Sequence, residues 1–196
     1  MRALLPNAAQ VAVLVGEHEF PMQRDEHGLF VAFLSDRRVP LTYRLVVTDG
    51  EGARRVQDDP YRFLPTVGEI DLHLFNEGRH LRLWEKLGSH PCEIDGVLGT
   101  AFAVWAPNAQ RVSVIGSFNN WDGRAHTMRM LGTSGVFELF VPGVEAEALY
   151  KYEILARSGA TRVKTDPYAH KLEQSPGFAS IVQARSRYLW LSLIHI

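Results

Sequence analysis

Short runs rich in β-branched and aromatic residues, broken by turn formers, dominate this chain. In the second half they fall at 100–105, 111–116, 127–131, 136–141, 149–155 and 161–164. Apolar and polar positions alternate in Val112-Ser113-Val114 and in Phe137-Glu138-Leu139-Phe140-Val141, the period of a strand. The breakers stand where turns belong: Pro107-Asn108, Asp122-Gly123, Pro142-Gly143 and Ser158-Gly159. The first half reads alike, with strands expected near 10–15, 29–34 and 42–48. Several short strands without a helical period predict an antiparallel sandwich of immunoglobulin type in each half. The expected fold class is therefore all-β: two tandem immunoglobulin-like β-sandwiches joined by a short helix-containing connector.

The connector has its own pattern. Gly68-Glu69-Ile70-Asp71-Leu72-His73-Leu74-Phe75-Asn76-Glu77-Gly78 starts acidic, spaces Ile70 and Leu74 four apart, and stops at a glycine, which predicts a short helix. Leu81, Leu83, Trp84 and Leu87 follow and are expected to pack between the sandwiches, because so apolar a segment is not left in water.

The two halves are copies. Leu5-Pro6-Asn7-Ala8-Ala9-Gln10-Val11 returns as Ala106-Pro107-Asn108-Ala109-Gln110-Arg111-Val112, offset by 101 residues (Pro6 to Pro107). Asp59-Pro60-Tyr61 returns as Asp166-Pro167-Tyr168, offset by 107 (Tyr61 to Tyr168). The second copy has thus gained six residues, assigned to the stretch around Ser117-Phe118-Asn119-Asn120-Trp121-Asp122-Gly123. The expected domains are a first sandwich at 1–66 that begins inside its own first strand, a connector at 67–98 and a second sandwich at 99–182. Residues 183–196 are expected to be a cut lead-in to a further domain. Within it, 191–196 is apolar with no turn or cap, can be back-translated to a transposon-end adapter, and is expected to be non-native.

Composition narrows the partners. A formal net charge of -1 offers no strong field to nucleic acid or to an anionic membrane, and leaves a neutral ligand. The single Cys92 excludes an internal disulfide and fits a cytoplasmic setting. No signal-peptide pattern and no membrane-length apolar stretch are read. The eight histidines lack metal-ligand spacing, so neither a metal nor a cofactor is expected.

The loop at 116–123 carries the candidate chemistry. Trp121 stands among turn formers, which favours a ring at the surface. There it could offer an apolar plate to a sugar while Asn119, Asn120 and Asp122 bond hydroxyls. The alternative is that Trp121 folds back and caps the sandwich edge. Trp105, ending an alternating strand, is expected in the core, and Phe118 is expected to anchor the loop. In each Asp-Pro-Tyr, aspartate starts a turn and tyrosine is expected to plug the end of its sandwich.

The strings Thr100-Ala101-Phe102-Ala103-Val104-Trp105-Ala106-Pro107-Asn108-Ala109, Gly116-Ser117-Phe118-Asn119-Asn120-Trp121-Asp122-Gly123 and Leu149-Tyr150-Lys151-Tyr152 resemble a family 48 carbohydrate-binding module. The likeness is to the module that precedes the catalytic barrel of bacterial glycogen branching enzymes. The first copy and connector resemble the additional N-terminal domain of the longer members. The resemblance implies glucan contact by Trp121 and Lys151. Related kinase-subunit modules add a second tryptophan just before the Asp-Pro turn. This chain has Thr161-Arg162-Val163-Lys164 there, so one aromatic plate and modest affinity are expected.

The resemblance further implies an α-1,4-glucan such as glycogen or a maltooligosaccharide as partner, and intramolecular docking to a barrel. Retaining glycan transfer needs two carboxyl groups on such a barrel, which takes roughly 250 residues, so no catalysis is expected from this chain alone. Two other readings of the same resemblance are a stand-alone regulatory glycogen-binding module and a pair of ligand-free spacers.

Overall fold

The computed structural model describes residues 1–35 and 41–184. The readings made of 185–196, including a non-native end, lie outside the described residues. Among these described residues sixteen short strands form four antiparallel sheets, two in each half.

The first sandwich consists of β1 (Arg2–Ala3), β2 (Ala8–Val15), β3 (His18–Pro21), β4 (Gln23–Arg24), β5 (Phe30–Val31), β6 (Arg44–Asp49) and β7 (Arg54–Asp58). Its sheets have the orders β3-β2-β6-β7 and β1-β5-β4. The second uses β8 (Gly88–Ile94), β9 (Val97–Trp105), β10 (Ala109–Gly116), β11 (Arg129–Met130), β12 (Val136–Pro142), β13 (Leu149–Ala156), β14 (Thr161–Lys164), β15 (Lys171–Leu172) and β16 (Ser180–Ile181). Its sheets are β11-β12-β9-β8 and β10-β13-β16-β15, with β14 on the other flank of β13. The β8 strand pairs with β9 from Gly88 to Ile94, so residues expected in the connector belong to the second sandwich. Pro91 is accommodated because β8 is an edge strand, where a missing backbone donor is tolerated.

The repeat extends to register. Val13 faces Leu45 across β2 and β6, as Val114 faces Tyr152 across β10 and β13, and both pairings shift register at the same step, Ala8/Gln10 and Ala109/Arg111. The cores match as well: Val11, Val13, Phe30 and Leu45 in one, Val112, Val114, Phe137 and Tyr152 in the other.

The six extra residues are divided. The N–H of Met22 donates to the carbonyl of Val11, and that of Met128 to Val112. Eleven residues become sixteen over the same span, which places five of the six in the tryptophan loop. The sixth is in the next turn, where Asp25 N–H reaches Leu29 O but Leu131 N–H reaches Val136 O.

The connector lies on the second sandwich. Phe102, Val104, Phe137, Leu139 and Val141 face the sandwich core. The opposite face of the same strands is covered by Phe63 on Phe140 and by Val67, Leu72, Phe75, Leu83 and Leu87 on Ala103 and Val136. The β9 and β12 strands are therefore buried on both sides. Glu138, which alternation would have placed in solvent, is fully buried. Its Oε1 accepts from the N–H and hydroxyl of Thr66, and Arg129 lies 3.3 Å from its Oε2. Trp105 shares the parity of Ala103 and so faces the connector, not the core. It is 53% exposed and meets Phe75 edge-on at 5.7 Å.

The expected helix is α1 (Glu69–Asn76). Gly78, at φ 67, ends it with backbone bonds from Gly78 to Phe75 and from Arg79 to Leu74. Its packing face is Leu72 and Phe75, while Ile70 is exposed, as are Leu81 and Trp84. Each Asp-Pro-Tyr turn is built by its aspartate. Buried Asp59 accepts from the Tyr43 hydroxyl at 2.6 Å and the Tyr61 N–H at 2.9 Å. Asp166 does the same for Tyr150 at 2.6 Å and Tyr168 at 2.8 Å. Tyr61 does not plug its own sandwich; its hydroxyl crosses to donate to the Thr127 carbonyl of the other.

Candidate glucan-binding site

The loop after β10 is organised by Asn119. Its Oδ1 accepts from the Gly116 N–H at 2.8 Å and its Nδ2 donates to the Val114 carbonyl at 2.9 Å. Those backbone partners fix which end of the amide is which, and the same Nδ2 stands 2.8 Å from His126 Nδ1. That ring nitrogen must be an unprotonated acceptor, and desolvation lowers the His126 pKa to about 4. Phe118 enters the core and stacks on Phe102, as an anchor should.

Asn120 (φ 53) and Trp121 (φ 59) both adopt the left-handed conformation, which a bulky side chain rarely takes. The conformation is held by Trp121 N–H to Gly116 O at 3.0 Å and Asp122 N–H to Asn119 O at 3.1 Å. The indole is 41% exposed. From β13, Lys151 brings its ammonium to 5.9 Å from the centre of that ring. The same ammonium lies 3.4 Å from the ring centre of Phe178.

The five residues proposed from sequence separate into two groups. Trp121 and Lys151 meet at one surface. Asn119, Asn120 and Asp122 line a cleft of about 680 Å³ between the two sandwiches, with Leu5, Tyr61 and Pro142, and Trp121 and Lys151 stand outside it. Both ends of the Asn119 amide bond protein groups. Asn120 is exposed. Asp122 is paired with Arg124, whose side chain and backbone N–H donate to it and lower its pKa to about 2. Sequence reasoning missed Phe178 and His126; Phe178 follows Pro176-Gly177, the same turn-forming context that singled out Trp121.

Glycine is required at the root of the loop. A Cβ on Gly116 would stand 2.2 Å from the Leu149 carbonyl oxygen and 2.6 Å from Phe118. Gly116→Ala should therefore lose about 1–3 kcal/mol by overpacking in urea unfolding. An unchanged midpoint would contradict the close approach.

An immunoglobulin-like sandwich that presents an aromatic ring from a fixed loop beside a lysine from a neighbouring strand has the architecture of a carbohydrate-binding module. The family profile of carbohydrate-binding module 48 (isoamylase N-terminal domain) matches residues 86–169, and that of the N-terminal domain of the alpha-1,4-glucan branching enzyme GlgB matches residues 1–61. The 1,4-alpha-glucan branching enzyme GlgB 1 of Streptomyces coelicolor is 49% identical over 189 residues, 96% of this chain and 24% of that protein. The 1,4-alpha-glucan branching enzyme GlgB of Rhodococcus jostii is 49% identical over 194 residues, 97% of this chain and 26% of that protein. The chain spans about a quarter of the length of these relatives. It belongs to the N-terminal region of the GlgB branching enzymes, with a module of family 48 as its second sandwich. Among the described residues no helix is long and apolar enough to cross a membrane.

Proposed function

We propose that the Trp121–Lys151 surface binds α-1,4-glucan, glycogen or a maltooligosaccharide, on behalf of a cytoplasmic 1,4-α-glucan branching enzyme. Such an enzyme cleaves an α-1,4 bond, holds the segment and passes it to a 6-hydroxyl. The two sandwiches keep the donor chain near the catalytic barrel and dock on that barrel. The observation that carries the binding reading is the outward indole of Trp121, held by two successive left-handed residues beside the Lys151 ammonium. A flat apolar ring suits the C–H face of a pyranose, and an ammonium next to it donates to the hydroxyl rim. In this reading Asn119 positions the loop, Asn120 is free to bond a hydroxyl and Asp122 contributes through Arg124.

Affinity electrophoresis of the chain through glycogen tests it. Retardation is expected, and Trp121→Ala should weaken binding about tenfold, the scale of one lost aromatic contact. Lys151→Ala should weaken it less. Unretarded migration of the unaltered chain would remove the binding reading.

A further inference from the structure

We propose that Phe178 is a second stacking plate, so that the site grips two glucose units of an α-1,4 chain, with Lys151 within reach of both plates. The inference rests on the glucan-binding reading of Trp121 and extends it to a residue that neither the loop nor the repeat announces.

Phe178 is 64% exposed, although it lies two residues before β16 pairs with β13. The peptide group that follows it is held at both its polar atoms. Thr165 donates its hydroxyl to the Phe178 carbonyl at 2.7 Å, and the next N–H, that of Ala179, donates to the Glu173 carboxylate at 2.8 Å. An exposed aromatic ring on a fixed backbone has little conformational entropy to lose on binding, which is what a stacking plate needs. A ring serving only to fill the core would be buried, as Phe102 is.

The lysine ties the two rings into one surface. Its ammonium is 3.4 Å from the centre of Phe178 and 5.9 Å from that of Trp121, which keeps the ring centres within about 9 Å of each other. Adjacent pyranoses of one chain can then stack on different rings, while the ammonium, within reach of both, donates to their hydroxyls. The cation–π contact steadies the Phe178 ring, which keeps most of its surface exposed. The proposed plate comes from the 173–179 loop, a different place from the 161–164 strand, and would give the site two plates where the resemblance implied one.

NMR titration of the chain with methyl α-glucoside, a single glucose unit, and with maltoheptaose tests this. Phe178→Ala should weaken maltoheptaose about tenfold and methyl α-glucoside less than twofold, whereas Trp121→Ala weakens both. Phe178→Trp should restore maltoheptaose binding, and Phe178→Leu, which keeps bulk without a π face, should not. Because the ring is exposed, none of these variants should move the thermal midpoint. Unchanged maltoheptaose binding by Phe178→Ala, beside a loss in Trp121→Ala, would overturn the second plate and leave the Trp121 site standing. Equal losses on both ligands would overturn the two-unit span. If the unaltered chain binds neither sugar, the glucan reading itself fails and takes this inference with it.

Discussion

Phe63→Ala should cost about 3–5 kcal/mol in denaturant unfolding, the range for emptying a buried phenylalanine site. Phe63 is the residue by which the segment leaving the first sandwich inserts into the second. Its ring is 1% exposed and meets Phe140 edge-on at 4.7 Å. The Arg62 guanidinium covers it at 4.0 Å, held there by two bonds to Asp58. Neighbours fixed in this way cannot collapse into the gap, so the cavity contribution stays large. The repeat supplies an internal control. Phe33 holds the place in the first copy that Phe140 holds in the second, yet it is 95% exposed. Phe33→Ala should therefore shift stability by no more than about 0.5 kcal/mol. Comparable losses at Phe63 and Phe33 would mean that the connector does not cover the second sandwich as described.

That contrast also marks where sequence patterning stops. The duplicated Pro-Asn and Asp-Pro-Tyr strings announced two sandwiches because each turn is set by local chemistry: a buried aspartate with a tyrosine hydroxyl sixteen residues before it, Tyr43 for Asp59 and Tyr150 for Asp166. Which faces are buried was not local. Alternation in Phe137-Glu138-Leu139-Phe140 reports a strand but assumes one wet side. Here the connector covers that side, so Glu138 and Phe140 are buried and Trp105 turns toward Phe75. The site divides in the same way. Trp121 was legible from its neighbours, since turn formers leave an aromatic ring no core to enter. Phe178 was not, because its meaning comes from a residue far away in sequence, Lys151, which β13 brings to its ring. His126 was not, because nothing in its residue type announces an acceptor for the Asn119 amide seven residues before it. Asn119, Asn120 and Asp122 seemed one group with Trp121 because they are adjacent in sequence. Two successive left-handed residues send the indole one way and leave those three beside the cleft.

Acid should loosen this loop before it unfolds the rest of the module. His126 has its pKa lowered to about 4 by desolvation, against an ordinary value of 6.5. Between those values the unfolded chain binds a proton that the folded chain refuses, so stability rises with pH through this window and is lost as pH falls from 6.5 to 4. The whole step is worth about 3 kcal/mol at one pKa unit per 1.4 kcal/mol. The structural reason is specific. Protonated Nδ1 would turn a donor toward the Nδ2 of Asn119, and that amide cannot rotate without leaving both Gly116 N–H and Val114 O unpaired. Glu138 and Asp166 act in the opposite sense: burial raises both, so each favours the fold toward lower pH. Total stability therefore blends these contributions, and the histidine must be isolated by substitution. His126→Asn places a carbonyl oxygen where Nδ1 accepts and removes the titration. Urea unfolding from pH 4 to 7.5 should show the unaltered chain gaining up to about 3 kcal/mol relative to His126→Asn across the window. Trp121 fluorescence should change at a higher pH in the unaltered chain than in the variant, because the ring rests on the loop that the Asn119–His126 pair closes. Parallel stability curves would show that His126 takes up its proton in the folded state, and that Asn119 is held by its two backbone bonds alone.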